Sequence, residues 1–182
     1  MTCPAFVAFC EQNPDWHIEQ GPSGDICVRT PSLEDAGFRN AVVGAQLGQW
    51  AKRDRTGKAA DSSTGYALPN GATRCPDASW ISLDRLKKAR KNRLTGFLPA
   101  CPEFVVEVRS RTDSLRELQD KMHEYIDCGA LLGWLIDPYS TKVYVYRPGH
   151  RMRSYEAPKT LSADPALPGF TLDFTDIWDI GF

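Results

Sequence analysis

The spacing of apolar and polar positions changes several times along the chain, and each change predicts an element. A short helix is expected up to Asn13-Pro14. After it, "WHIEQ" and "DICVRT" alternate around "GPSG", the pattern of a hairpin whose glycines supply turn conformations. From about Leu33 to Arg53 the apolar residues fall at helical spacing, with Ala41, Val42, Ala45, Leu47, Gly48 and Trp50 forming the expected buried side. "GYAL" and "DASWI" read as two strands joined by a Pro-Asn-Gly turn. Residues 82–93 predict a short helix, and "CPEFVVEVRS" predicts a buried strand. "SLRELQDKMHEYIDCG" is an amphipathic helix with Leu115, Leu118, Met122, Tyr125 and Ile126 on one side. Ser114 and Glu117 make a capping box for it, and Gly129 is its stop. "LLGWLID" and "KVYVYR" add two strands around "PYST", and "GFTLDFTDIW" a last strand and turn. Helices and strands in this order predict a mixed α/β fold around a curved sheet rather than a regular doubly wound one.

One position breaks the pattern of the buried strand. Phe104, Val105, Val106 and Val108 are nearly continuous apolar residues, yet Glu107 stands among them and Arg109 follows. In an extended strand Glu107 and Arg109 share one face, while Phe104, Val106 and Val108 share the other. An unpaired buried carboxylate costs several kcal/mol, roughly, so Glu107 requires a cation, either Arg109 or a bound divalent metal. Asp77 follows Pro76 at the start of another apolar strand, where a carboxylate can project from a sheet end. Two such groups on neighbouring strands suit Mg²⁺, a hard ion that keeps several waters. On the later helix, Lys121 and Tyr125 lie four apart on the stripe of Leu118, which brings an ammonium towards the carboxylates.

Composition narrows the classes further. The 182 residues suit a single domain, 42% apolar and 25% charged, with no apolar run long enough for a membrane span. The start has no basic segment followed by an apolar one, so a cytoplasmic location is expected. The six cysteines show no CxxC pair and no zinc-finger partner, and are expected as reduced, mostly buried thiols. His17, His123 and His150 are too scattered for a histidine metal site, and His123 is expected to face solvent. Phosphate-binding glycine loops, a GxSxG elbow and HExxH are all absent. With a net charge of −1, attraction to nucleic acid would have to be local, and "RLKKARKNR" carries six basic residues in nine.

Together, "GFRNAVVGAQLGQWAKRD", "DSSTGYALPNGATRCPDASWIS", "PEFVVEVRSRTDSLRELQDKMHEYIDCGALLGWLIDP", "VYVYRPG" and "LPGFTLDF" resemble the Uma-two family, described as restriction endonucleases of the PD-(D/E)XK superfamily. The similarity runs from about residue 33 to the C-terminus. It implies a restriction-endonuclease-like αβββαβ core over 33–182, with flanking helices and extra antiparallel strands and with 1–32 as an N-terminal extension. It also implies a Mg²⁺-dependent phosphodiesterase site for one or two ions, Mn²⁺ being an alternative, that acts on nucleic acid, with DNA expected, and a homodimer. Trp134 and Tyr144 are interface candidates. Asp77 matches the Asp of the PD motif and Glu107 the acidic residue of (D/E)XK. Both are implied metal ligands, with the Val108 carbonyl beside them. Arg109 stands where the superfamily has lysine and is expected to contact phosphate or pin Glu107, while Lys121 matches the lysine of the following helix. Asn40, on the early helix, matches a further polar site position. The arginine departure keeps a second reading open, a catalytically inactive nuclease-fold module that acts as a dimeric nucleic-acid-binding or regulatory protein.

Overall fold

The computed structural model describes residues 4–29, 34–92 and 96–180. The chain forms α1 (Pro4–Gln12), β1 (His17–Gln20), β2 (Ile26–Arg29), α2 (Glu34–Asp54), β3 (Gly57–Asp61), β4 (Tyr66–Ala67), β5 (Thr73–Arg74) and β6 (Ala78–Ser82). There follow α3 (Leu83–Asn92), β7 (Phe104–Val108), α4 (Leu115–Asp127), β8 (Leu132–Asp137), β9 (Lys142–Tyr146), β10 (Arg153–Glu156), β11 (Thr160–Ser162), β12 (Thr171–Asp173) and α5 (Thr175–Trp178). The expected ends of the second and third helices, Leu33 and Arg93, lie outside the described residues.

The main sheet has the order β10-β9-β8-β7-β6-β3, and β7 and β8 are its parallel pair, joined through α4. Read along the chain, α2, β3, β6, β7, α4 and β8 give the αβββαβ core. On one face Phe104, Val106, Val108, Trp134 and Ile136 pack with Val43, Leu47 and Trp50 of α2 and with Phe170 and Phe174 from the C-terminal segment. On the other, Val105 and Leu135 meet Leu118, Met122 and Tyr125 of α4. The alternation predicted for β7 is thus realised, with both faces covered. Trp134 is fully buried, and Phe104 meets it edge to face at 4.9 Å. It therefore cannot serve an interface, because β8 lies in mid-sheet between two helical layers.

The α2 stripe differs from the expected one. Ala36, Arg39, Val43, Leu47, Trp50 and Ala51 are buried, whereas Ala41 and Ala45 face solvent. Small alanines fit either side of a helix, so the large residues Leu47 and Trp50 set its rotation. Both ends of α4 are closed as its sequence suggests. The Ser114 hydroxyl accepts from Glu117 N, and at the other end Gly129 N and Ala130 N bond the carbonyls of Ile126 and Tyr125 around Gly129 at φ +107°.

A smaller sheet, β2-β1-β5-β4, flanks the core. The turn Pro69-Asn70-Gly71 joins β4 to β5 rather than to β6, so the two strands expected around it belong to different sheets. The N-terminal hairpin joins this sheet through the pair Gln20–Thr73. Among the described cysteines only Cys101 is buried, which corrects the expectation of mostly buried thiols; Cys3 lies outside them. Burial pushes the Cys101 thiol up to about 12, which leaves it unreactive.

Candidate active site

β6 and β7 run antiparallel with Ala78 opposite Val106, and the same register continued one step sets Asp77 opposite Glu107. Asp77 precedes β6, and its Oδ2 accepts a hydrogen bond from Val108 N at 2.8 Å. Residues expected apart by their numbering therefore meet where β6 begins and β7 ends. They stand beside a cleft of about 770 Å³ lined by Asp77, Val108, Lys121, Asn40, Glu19 and the 110–114 loop, among others.

Glu107 is 1% exposed, and its cation is Lys121. The Lys121 Nζ lies 2.8 Å from Glu107 Oε1, and Tyr125 donates its hydroxyl to the same oxygen at 3.0 Å. These two residues, four apart, descend from α4 onto β7. The period that buries Leu118, Met122 and Tyr125 buries Lys121 too. Burial, and then the charges of Glu107 and Glu19, hold the Tyr125 phenol well above its usual range, so it remains a donor.

The expected pairing of Arg109 with Glu107 is not formed. β7 ends at Val108, and past that end strand alternation no longer governs where a side chain points. Arg109 N bonds the Ile136 carbonyl, and its guanidinium reaches both oxygens of Asp137, at 3.3 and 3.2 Å. Asp137 is wholly buried and needs the charge as much as Glu107 does. Arg109 also holds Asp113 O and lies over the Tyr139 ring, so it braces the loop that forms one wall of the cleft.

Sequence reasoning missed Glu19. It is 3% exposed on β1, and its Oε1 accepts from Lys121 Nζ at 2.9 Å and from Cys75 N at 2.8 Å. Arg74 lies 3.5 Å from its Oε2 and bonds Glu124 at 2.6 Å. Burial is the largest influence and lowers the Arg74 pKa, but the bond to Glu124 and the charges of Glu124 and Glu19 together outweigh it, and the net shift is upward. A carboxylate at alternate position 19 of a short hairpin looks like a solvated residue, and only the pairing of β1 with β5 carries it inside.

Two atoms bear on the implied metal. Glu107 Oε2 is buried without a hydrogen-bond partner, and so is Asn40 Oδ1 in the cleft wall. Among the described residues no three His, Cys, Asp or Glu side chains are grouped to hold an ion by themselves. A Mg²⁺ site does not require that, since this ion keeps most of its waters and takes one or two carboxylates. Asp77, the free oxygen of Glu107 and the Val108 carbonyl are hard donors of the right kind.

The basic helix does not reach this place. Among the described residues no α3 side chain lines the cleft, Lys87, Lys88, Arg90 and Lys91 are exposed, and Arg85 is occupied with Glu103 and the carbonyls of Cys101 and Gly129. His123 faces solvent, its ring against Tyr146.

The comparisons with known proteins bear on the family and the fold. The model of the Uma2 (Uma-two) family, described as "Putative restriction endonuclease", matches residues 3–175. The chain belongs to that family. The match takes in the N-terminal segment as well as the part from residue 33 onwards, so the hairpin bearing Glu19 lies within it. No curated protein matches the chain. Among solved structures, a protein of Anabaena variabilis described as a putative nuclease belonging to DUF820 superposes with a TM-score of 0.76. It is 18% identical, and the match covers 88% of this chain and 89% of that one. The likeness shows a shared fold. Among the described residues no helix is long and apolar enough to cross a membrane.

Proposed function

We propose that this Uma2 protein is a Mg²⁺-dependent endonuclease that hydrolyses phosphodiester bonds in DNA, with Mn²⁺ as a substitute ion. The observation that carries the reading is the unpartnered, buried Glu107 Oε2 beside Asp77, with an ammonium already on the other oxygen. Asp77, Glu107 and the Val108 carbonyl would hold the ion. When bound, such an ion acidifies water and neutralises charge on a phosphoryl group. The chain's own residues do the rest. Lys121 puts a positive charge at the cleft wall, next to where charge grows on the attacked phosphate. Tyr125 fixes the Glu107 carboxylate through its hydroxyl on Oε1 and leaves the buried Oε2 for the ion. Asn40 offers an amide oxygen to a water or to substrate. Arg111, exposed on the cleft rim and over the Tyr139 ring, is placed to meet a phosphate. Arg109 acts as a positioning residue, bracing the 110–114 loop through Asp113 O.

Arg109 in the lysine position favours the alternative of an inactive, nucleic-acid-binding module. Against it stands the lysine supplied by α4, which puts the ammonium on Glu107 from another element. The two are separated by a plasmid-nicking assay. Activity that chelation removes and that Asp77→Ala lacks is expected; no cleavage by folded wild type with Mg²⁺ or Mn²⁺ supports the inactive module. The proposed homodimer, no longer resting on Trp134, is checked by light scattering.

A further inference from the structure

Side chains of the cleft wall, Glu124, Arg74, Glu19 and Lys121, continue into buried Glu107 as a ladder of alternating charge, each within 3.5 Å of the next. Three carboxylates against two cations leave it one charge negative, and Asp77 adds a second. Were Lys121 paired with Glu107 alone, the two would form a closed ion pair, and Glu107 would have little charge left for anything else. Lys121 is instead bonded almost equally to two carboxylates, at 2.8 and 2.9 Å. Glu19 cannot drift off, because the Cys75 amide fixes the same oxygen and Arg74 flanks the other.

We infer that Glu19 is a positioning residue that draws part of the Lys121 charge away from Glu107, so that the Glu107 carboxylate keeps enough negative charge to take a divalent cation at its free oxygen. The N-terminal hairpin thereby tunes the metal affinity of a site to which it contributes no ligand. The inference rests on the proposed metal site and deepens it.

The test is calorimetric titration of the full chain with Mn²⁺, comparing wild type, Asp77→Ala and Glu19→Gln. The glutamine variant keeps the oxygen that accepts from Cys75 N and Lys121, replaces the oxygen flanked by Arg74 with an amide NH2 and so removes the charge, and is checked for folding by thermal unfolding. If it unfolds, Glu19→Asp, which keeps the charge on a shorter arm, is expected to bind Mn²⁺ within a fewfold of wild type. Glu19→Gln is expected to bind Mn²⁺ about tenfold more weakly, with kcat/KM for DNA lowered at limiting metal and restored at saturating metal. A purely structural Glu19 would shift only the unfolding temperature. Unchanged Mn²⁺ affinity in folded Glu19→Gln, or in its place an order-of-magnitude loss in Glu19→Asp, overturns the inference while leaving the metal site intact. Complete loss, as in Asp77→Ala, overturns it also, since Glu19 would then be a ligand. A wild type that binds no Mn²⁺ removes the metal site, and this inference with it.

Discussion

At the scale of single residues, the chain places two buried carboxylates on adjacent strands and gives each a different cation: Lys121 for Glu107 and Arg109 for Asp137. Removing one partner of such a pair strands the other in a medium of low polarity. Lys121→Met should therefore cost about 3–5 kcal/mol, read by urea unfolding. Arg109→Ala should cost roughly 3 kcal/mol through Asp137 yet leave Mn²⁺ affinity unchanged, whereas Glu107→Gln should abolish metal binding and keep the fold. If Arg109→Ala abolished metal binding with the fold retained, its placement as a brace would be wrong. Alkaline pH gives another reading. Burial pushes the Tyr66 phenol up to about 12, the bond to Ser79 opposing it only in part. A raised folded pKa means the native state holds its proton longer, so this stabilisation is complete below pH ~10 and is lost as pH rises towards about 12. The part of the tyrosinate absorbance that Tyr66→Phe removes should accordingly appear together with unfolding rather than before it.

Elements were legible where period and punctuation agree. The second helix, the amphipathic helix with Ser114 and Gly129, and the strand holding Glu107 all emerge close to their sequence bounds. Gly129 is required by its positive φ, and Gly129→Ala should cost about 1 kcal/mol, measured by thermal unfolding. β3, β5, β10 and β11 escaped sequence reading for a physical reason. "GKAAD" and "TR" are short and weakly apolar, and β10 and β11 are largely exposed, so they are held by a neighbouring strand rather than by their own pattern. The same limit explains the site. Glu107 stands out because it interrupts an apolar run, Asp77 because it follows Pro76 at the head of one, and Lys121 because it falls on the stripe of Leu118 and Tyr125, but the pairing of Arg109 depends on where β7 ends, and Glu19 on a single inter-strand contact.

For the molecule as a whole, positive and negative charge are segregated. Among the described residues, eight carboxylates and three cationic side chains line the cleft, while the exposed lysines of α3 lie elsewhere. A short duplex confined to the cleft should therefore bind equally well after Lys87, Lys88, Arg90 and Lys91 are changed to Gln. A longer one that reaches α3 should bind more weakly and with a shallower salt dependence. Fluorescence anisotropy on the two lengths checks this, and an equal loss on both would place α3 at the cleft after all. The acidity of the cleft has one more consequence. Polyanion and divalent ion each lessen the repulsion that the other meets, so under the proposed activity their binding must be cooperative. Whatever factor Mg²⁺ adds to the grip on DNA, DNA must return to the grip on Mg²⁺. When free Mg²⁺ is scarce, such a protein would ignore DNA altogether rather than bind it and wait.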